Sequence, residues 1–205
     1  ESTLPQMGRD LRHTLTPPIF LSSPKSPLII FVVGGPGCGK GTRCRNMATK
    51  YGFCHVGLGQ LLWQEAQRST QRGWQIRDIM RQGLLVPTDL ILDMVSNNLL
   101  SCPETRGFLI DGFPRELEQA KEFEQIVGRA PNMVIVFDCS METVVWRVEH
   151  CDLETAICRH LETHYTLCEP VLTFKMWVLL NMRHHILAEA ALDGIFAKCC
   201  SVRQS

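Results

Sequence analysis

The sequence has no excess of either charge. Lysine and arginine together number 21, and so do aspartate and glutamate, which makes the formal net charge at pH 7 zero. Because sequence-independent nucleic-acid binding depends on a basic surface, this balance argues against a nucleic-acid partner. We therefore expect local sites, and not a general electrostatic field, to select the partners of this chain.

Long apolar runs and paired cysteine motifs are also missing. No stretch approaches the ~18 apolar residues that span a bilayer, so we expect no membrane segment. The ten cysteines form no C-x-x-C pair, and no leader with an apolar core precedes them. These absences predict reduced thiols and a cytoplasmic protein. A length of 205 residues suits one domain that buries its core without disulfide or metal staples.

The most informative stretch is a glycine-rich turn between an apolar strand and a helix. Residues 28–33 are apolar and β-branched, the next nine residues read G-G-P-G-C-G-K-G-T, and 42–51 are compatible with a helix. Such a turn gathers backbone N–H groups around a phosphate at the positive end of the helix. We expect Lys40 to reach the β- and γ-phosphates and the Thr42 hydroxyl to lie near Mg²⁺. The predicted nucleotide-binding residues of this loop are Gly35, Gly37, Cys38, Gly39, Lys40, Gly41 and Thr42.

This loop resembles that of the adenylate kinase family, which reads G-G-P-G-x-G-K-G-T. A second block, G-F-L-I-D-G-F-P-R at 107–115, supports the resemblance, and shorter matches follow the family's order at 50–53, 85–87, 136–139 and 169–171. The resemblance covers residues 28–200. It implies a three-layer α/β phosphate-loop fold with a parallel sheet and a short lid. It also implies phosphoryl transfer from ATP to a nucleoside monophosphate, with Mg²⁺ as the cofactor.

Strand and helix patterns alternate along the chain, which predicts a parallel sheet covered on both faces. Strands are predicted at 28–33, 53–56, 108–111, 133–137 and near 186, and helices at 42–51, 59–69, 73–81, 88–100, 116–126, 141–150, 153–180 and 191–200. Residues 1–27 contain five prolines and are predicted to form an extended arm, apart from the domain at 28–205. The resemblance puts the monophosphate-binding helical insertion at 57–104 and a truncated lid at 148–156.

The resemblance also assigns roles to the residues that follow the second block. Asp111 would orient water on Mg²⁺, Arg115 would hold the phosphate of the monophosphate, and Gln119 would read its base. Without the resemblance, the sequence around Asp111 is equally typical of an acidic residue that caps a helix or turn, and Arg115 and Gln119 are typical of a solvent-exposed helix face. The resemblance gives Lys40, Asp111 and Arg115 as catalytic, no protein side chain as a direct metal ligand, and a monophosphate site of Gly59, Val86, Gly112, Arg115 and Gln119.

Several arginines of the family pattern are absent. At the first monophosphate helix the family resembles T-G-x-L-L-R, and here the last position is Trp63. An indole offers one weak donor and no charge. In the lid, Arg147 matches a nucleotide-binding arginine, but Cys151 occupies the position of the next one. The last lid arginine corresponds to either Arg159 or His160, depending on the direction of counting.

The segment around the lid is rich in cysteine and histidine, which raises the alternative of a zinc site. Its members are His150, Cys151, Cys158, His160 and His164. Their spacing matches no standard zinc pattern, and such residues on helices are more often packed or exposed than ligating. We therefore predict no zinc in the lid.

Three functions are compatible with these residues. The favoured one is a nucleotide-binding relative whose phosphotransferase activity is strongly reduced or lost, and which contacts a protein partner through the arm or the lid-less face. The second is an active ATP:AMP phosphotransferase in which other cations replace the missing arginines, namely Arg159, Arg77, Arg81 or Arg183. The third is an interaction surface that no longer binds nucleotide.

Overall fold

The architecture comes from a computed structural model that describes residues 27–34, 39–138 and 183–187. Its elements are β1 (Leu28–Gly34), α1 (Lys40–Tyr51), β2 (Cys54–Gly57), α2 (Leu58–Ala66), α3 (Gln71–Arg81), α4 (Thr88–Ser101), β3 (Gly107–Asp111), α5 (Leu117–Val127), β4 (Met133–Asp138) and β5 (Arg183–Leu187). The elements predicted within these ranges are confirmed, and their ends differ by at most three residues. The predicted helices at 141–150, 153–180 and 191–200 lie outside the described residues, together with the arm and the lid.

The five strands form one parallel sheet in the order β2-β3-β1-β4-β5. In its register, Asp111 at the end of β3 lies beside Val32 of β1 on one side and Gly57 of β2 on the other. Gly34, the last residue of β1, lies beside Phe137 of β4. The carboxyl ends of four strands therefore meet at one edge, where ligands bind in sheets of this kind.

The strands of the sheet are buried on both faces, as their continuous apolar runs predict. On one face, Ile29, Phe31 and Val33 of β1 pack with buried side chains of α2, α3, α4 and α5. On the other, Ile30 and Val32 pack with buried side chains of α1. The structure is therefore three-layered, and the predicted α/β class is confirmed.

Three helices, α2 to α4, follow β2 and precede β3 in the sequence, and polar contacts stabilise their packing. The Thr70 hydroxyl accepts a hydrogen bond of 3.0 Å from the Gly73 N–H at the start of α3. Arg72 of α3 donates to Asp93 of α4 at 2.7 Å. This helical layer falls within the predicted monophosphate insertion. Among the helices described, none combines the length and the apolar character that crossing a membrane requires.

Candidate functional site

The described residues on either side of the turn between β1 and α1 are compatible with a phosphate loop. Gly39 precedes α1 with φ of 77°, a left-handed conformation in which a side chain would be strained. The Lys40 ammonium donates a 2.7 Å hydrogen bond to the Gly34 carbonyl, so the side chain reaches back to the end of β1. The first turn of α1 contains no acidic residue, which leaves its positive end available to an anion. Residues 35–38, including Gly35, Gly37 and Cys38, lie outside the described residues.

Asp111 closes the other side of this junction. A Cβ atom added to Gly41 would stand 3.4 Å from Asp111 Oδ2, so the carboxylate lies directly against the first turn of α1. Thr42, one residue further along the same turn, is exposed. A carboxylate and a hydroxyl at the end of a phosphate-binding helix are oxygen donors of the kind that Mg²⁺ prefers, and Asp111 and Thr42 would hold it through water.

The turn after β3 brings together three of the five residues predicted for the monophosphate, namely Gly112, Arg115 and Gln119. Gly112 has φ of 77° and its N–H donates to the Val32 carbonyl at 2.9 Å. The Arg115 N–H donates to Gln119 Oε1 at 2.9 Å, and the Arg115 guanidinium reaches the Gly112 carbonyl at 3.4 Å. Gln119 is fully buried, and its Nε2 has no hydrogen-bond partner among the described residues. A buried amide donor of this kind needs an acceptor from water or a ligand.

On the helical layer, Gly59 begins an exposed surface of α2. A Cβ atom at Gly59 would meet no atom of the described residues within 4 Å, so this part of the structure leaves the surface above it open. Trp63 lies one helical turn later on the same side and is 60% exposed. Leu58 and Val86 are buried beneath this layer and belong to its core. The position where the family pattern has an arginine therefore presents an indole to solvent.

The cations considered as replacements are Arg159, Arg77, Arg81 and Arg183. Arg159 is outside the described residues, as are the lid positions Arg147, Cys151 and His160. Arg77 and Arg81 belong to α3. Arg183 is the first residue of β5 and pairs with Val134 of β4. It is four residues, or roughly 13 Å at 3.3 Å per residue, from the carboxyl end of β5. Through Val134, Phe31 and Ile110, the register places the Arg183 backbone one residue from the level of Asp111. The two residues are three strands apart across the sheet, which is roughly 14 Å at 4.7–4.9 Å per strand.

Two residues beside Asp111 were missed by the sequence analysis. His55 Nε2 lies 3.5 Å from Asp111 Oδ2, and one donor atom each of Cys44, His55 and Asp111 lie within 4.8 Å of one another. These residues come from α1, β2 and β3, and their spacing in sequence matches no motif. The only available signal was local: Cys44 falls one helical turn after Lys40, and His55 lies two residues before the end of β2.

Comparison with known proteins agrees with this geometry. The sequence model for the adenylate kinase family, described as "Adenylate kinase", matches residues 32–176. Human adenylate kinase isoenzyme 1 is 38% identical over 186 residues, which is 86% of this chain and 94% of that protein. The chicken isoenzyme 1 is 40% identical over 182 residues, 84% of this chain and 92% of that protein. Bovine isoenzyme 5 is 38% identical over 195 residues, 91% of this chain but 34% of that protein. The chain belongs to the adenylate kinase family.

Proposed function

We propose that this chain binds Mg-ATP and AMP at the carboxyl edge of its sheet and transfers phosphate between them much more slowly than an adenylate kinase with a full set of arginines. The observation that carries the proposal is the pairing of a glycine-led start of α1, which bears Lys40, with an exposed indole at Trp63. The first feature favours nucleotide binding, and the second removes a charge from the monophosphate side.

The ATP half of the proposal rests on α1 and Asp111. The positive end of α1, the Lys40 ammonium and an adjacent carboxylate form a set that suits a phosphate chain with a bound cation. The residues proposed for this half are Gly35, Gly37, Cys38, Gly39, Lys40, Gly41, Thr42, Asp111 and Arg147. Mg²⁺ supplies charge neutralisation at the transferring phosphate when it is bound.

The AMP half rests on the turn after β3. Gln119 is held by the Arg115 N–H through its oxygen, so its amide nitrogen keeps a fixed direction and still needs an acceptor. A purine ring nitrogen would supply that acceptor. Arg115 is a cation one helical turn away, within reach of a phosphate on the same ligand. Gly59, Gly112 and the backbone of Val86, whose side chain is buried in the core, complete the proposed pocket.

The rate argument compares the charges kept with those lost. Phosphoryl transfer depends on neutralising charge that spreads over the phosphate in the transition state, and removing one such arginine typically costs on the order of 10³-fold or more. One arginine of the family pattern is replaced by Trp63 and a second by Cys151. In addition, the segment at 148–156 is too short to supply much of a lid that excludes water. Two lost charges are difficult to offset from Arg183, whose backbone is three strands away from Asp111 across the sheet.

The test is calorimetry of Mg-ATP binding followed by coupled-assay transfer to AMP in the same sample, with Lys40→Ala as the control. We expect binding that Lys40→Ala abolishes, and transfer close to that of this control. Transfer far above the control would establish the active phosphotransferase instead. The absence of both binding and any ATP-induced rise in melting temperature would favour the interaction surface.

If transfer is slow, the chain acts as a nucleotide-responsive structural or regulatory module in the cytoplasm. The proposed partner surface is the Pro-rich arm at 1–27 or the lid-less face. In the arm, the apolar segment at 19–21 would provide the contact with a protein partner. Deletion of 1–27 is expected to weaken capture of such a partner while leaving Mg-ATP binding intact. Unchanged capture would exclude the arm.

A further inference from the structure

Three side chains lie close together near the start of α1, and the proposed transfer reaction uses only one of them, Asp111. Cys44 is fully buried on α1, His55 lies on β2, and Asp111 ends β3. Their donor atoms fall within 4.8 Å of one another, and His55 Nε2 is 3.5 Å from Asp111 Oδ2. Ligands around a tetrahedral cation with bonds of about 2.0–2.3 Å are separated by roughly 3.3–3.8 Å, so small side-chain movements bring this group to a metal-binding arrangement.

The state of His55 is a second and independent observation. Its Nε2 atom is buried and has no hydrogen-bond partner among the described residues, although Asp111 is near. A buried imidazole nitrogen without a partner is costly, and a metal ion would satisfy it. The side chains of His55 and Asp111 are only 14% and 13% exposed, so an ion held there would be shielded from most of the solvent.

The donor chemistry selects the class of cation. Thiolate sulfur and imidazole nitrogen are ligands for zinc-class ions, whereas Mg²⁺ prefers oxygen and binds poorly to both. Three protein ligands leave one position open, as in exchangeable and catalytic zinc sites. Asp111 would therefore be shared by two competing cations, since the same carboxylate faces the first turn of α1 where Mg-ATP is proposed to bind.

We propose that Cys44, His55 and Asp111 form an inhibitory site for a zinc-class divalent cation, which withdraws Asp111 from Mg-ATP. Binding converts the Cys44 thiol to a thiolate and releases its proton to solvent. No redox step is involved. The inhibitory part of this inference rests on the proposed Mg-ATP function, whereas the metal-binding part does not.

The binding test uses the whole, reduced, metal-stripped chain without nucleotide. Zn²⁺ is titrated by calorimetry, and Co²⁺ is used to detect the sulfur-to-metal absorption band that a Cys44 ligand produces. Cys44→Ala and His55→Gln should each weaken the site about 100-fold or more, since changes outside the ligand shell already cost 10–100-fold. Cys54→Ala changes the cysteine that precedes His55 on β2, and it is the matched control. It should keep both the zinc affinity and the cobalt absorption band.

The outcomes separate this site from other cysteines and histidines of the chain. Loss of one bound Zn²⁺ and of the cobalt band in Cys44→Ala, but not in Cys54→Ala, supports the proposal. Equal zinc stoichiometry, affinity and cobalt spectrum in Cys44→Ala and the parent would overturn it, because the metal would then be bound elsewhere. Circular dichroism of each variant verifies folding, and Cys44→Ala decides the matter if His55→Gln fails to fold.

The inhibitory part is tested by titrating Mg-ATP into the zinc-loaded and zinc-free protein. We expect zinc to weaken Mg-ATP binding at least tenfold in the parent and to have no such effect in Cys44→Ala, where chelation of zinc by ATP is the same. Equal weakening in both proteins would refute inhibition through this site. If the zinc-free chain fails to bind Mg-ATP, the proposed function fails, while the nucleotide-free zinc titration still decides whether the metal site exists.

Discussion

The Asp111 carboxylate lies against the backbone of Gly41, with Oδ2 3.4 Å from the position that a methyl group on Gly41 would take. This relationship explains a feature of the loop that the sequence alone leaves open. Glycine after the loop lysine leaves a gap between the helix and the carboxylate. The Mg²⁺ that we propose near Asp111 and Thr42 would use that gap to lie close to the first turn of α1.

Gly41→Ala therefore should separate stability from cation binding. The backbone of Gly41 is helical and the methyl contact is tolerable, so we expect the free energy of unfolding to stay the same or rise by up to about 1 kcal/mol. Mg-ATP affinity should fall about tenfold, the equivalent of one weakened charged hydrogen bond. Thr49→Ala, an exposed change on the same helix, should raise helix propensity without altering Mg-ATP binding. Equal Mg-ATP affinity of Gly41→Ala and the parent by calorimetry would argue against the role assigned to this gap.

Trp63→Arg should restore a charge to the monophosphate side. The side chain is 60% exposed, so we expect little change in unfolding free energy. A charged hydrogen bond to phosphate is worth about 1.5–3 kcal/mol, which corresponds to roughly tenfold to hundredfold tighter AMP binding. We also expect faster transfer in the coupled assay, because the charge persists in the transition state.

The matched control for this change is Trp74→Arg, since Trp74 is a second exposed indole, 55% exposed, on the neighbouring helix α3. If both variants gained AMP affinity equally, general charge and not a specific phosphate contact would explain the gain. If neither gained, the surface of α2 near Gly59 would not be where the monophosphate phosphate binds.

Much of the fold was predictable because its signals are local. The glycine-rich turn at 34–42 marks the end of β1 and the start of α1, and the continuous apolar run at 133–137 marks a strand buried on both faces. The site was predictable only where a motif carried it. Cys44 and His55 adjoin Asp111 because three elements meet at one sheet edge, and no spacing along the chain records that meeting. The predicted roles of the lid residues remain predictions.

Gln119→Met tests the proposed reading of the base. The substitution keeps the volume but removes the oxygen that accepts from the Arg115 N–H at 2.9 Å, so we expect a loss of about 1 kcal/mol in unfolding free energy. It also removes the buried Nε2 donor, and binding should lose its preference for AMP over other nucleoside monophosphates. Calorimetry with AMP, CMP and UMP gives the preference. A preference for AMP equal to that of the parent would rule out Gln119 as the group that reads the base.

The Cys54 thiol should make stability depend on alkaline pH. Burial, and then a hydrogen bond with Cys102 and its charge, raise the pKa of Cys54 from 9.0 to about 12. As pH rises, the unfolded chain therefore releases this proton before the folded chain does. The contribution of the neutral thiol to the free energy of unfolding is complete below pH 9.0 and is lost between pH 9.0 and about 12. Because Cys54 is only partly buried, we expect a modest effect.

The measurement is urea unfolding at pH 7 and at one pH between 9.0 and about 12, compared between the parent and Cys54→Ala. Cys54→Ala should lose less stability than the parent over this interval. Cys102→Ala keeps the burial of Cys54 but removes its partner, so its loss should fall between the two. Identical pH dependence of all three proteins would show that the thiol is not held in its neutral form.

Gly73→Ala should damage the helical layer through backbone contact. A Cβ atom at this position would stand 2.4 Å from the Arg68 carbonyl oxygen and 2.7 Å from that of Glu65, so the turn between α2 and α3 must move. We expect unfolding free energy to fall by about 1–3 kcal/mol, as is typical of overpacking. Gly59→Ala, where no atom in the described part of the chain lies within 4 Å, is the matched change and should leave stability unchanged or raise it by up to about 1 kcal/mol. Equal stability of the two variants in urea would mean that the turn shifts freely, and that α2 and α3 are joined less rigidly than the Thr70 cap and these close carbonyl contacts imply.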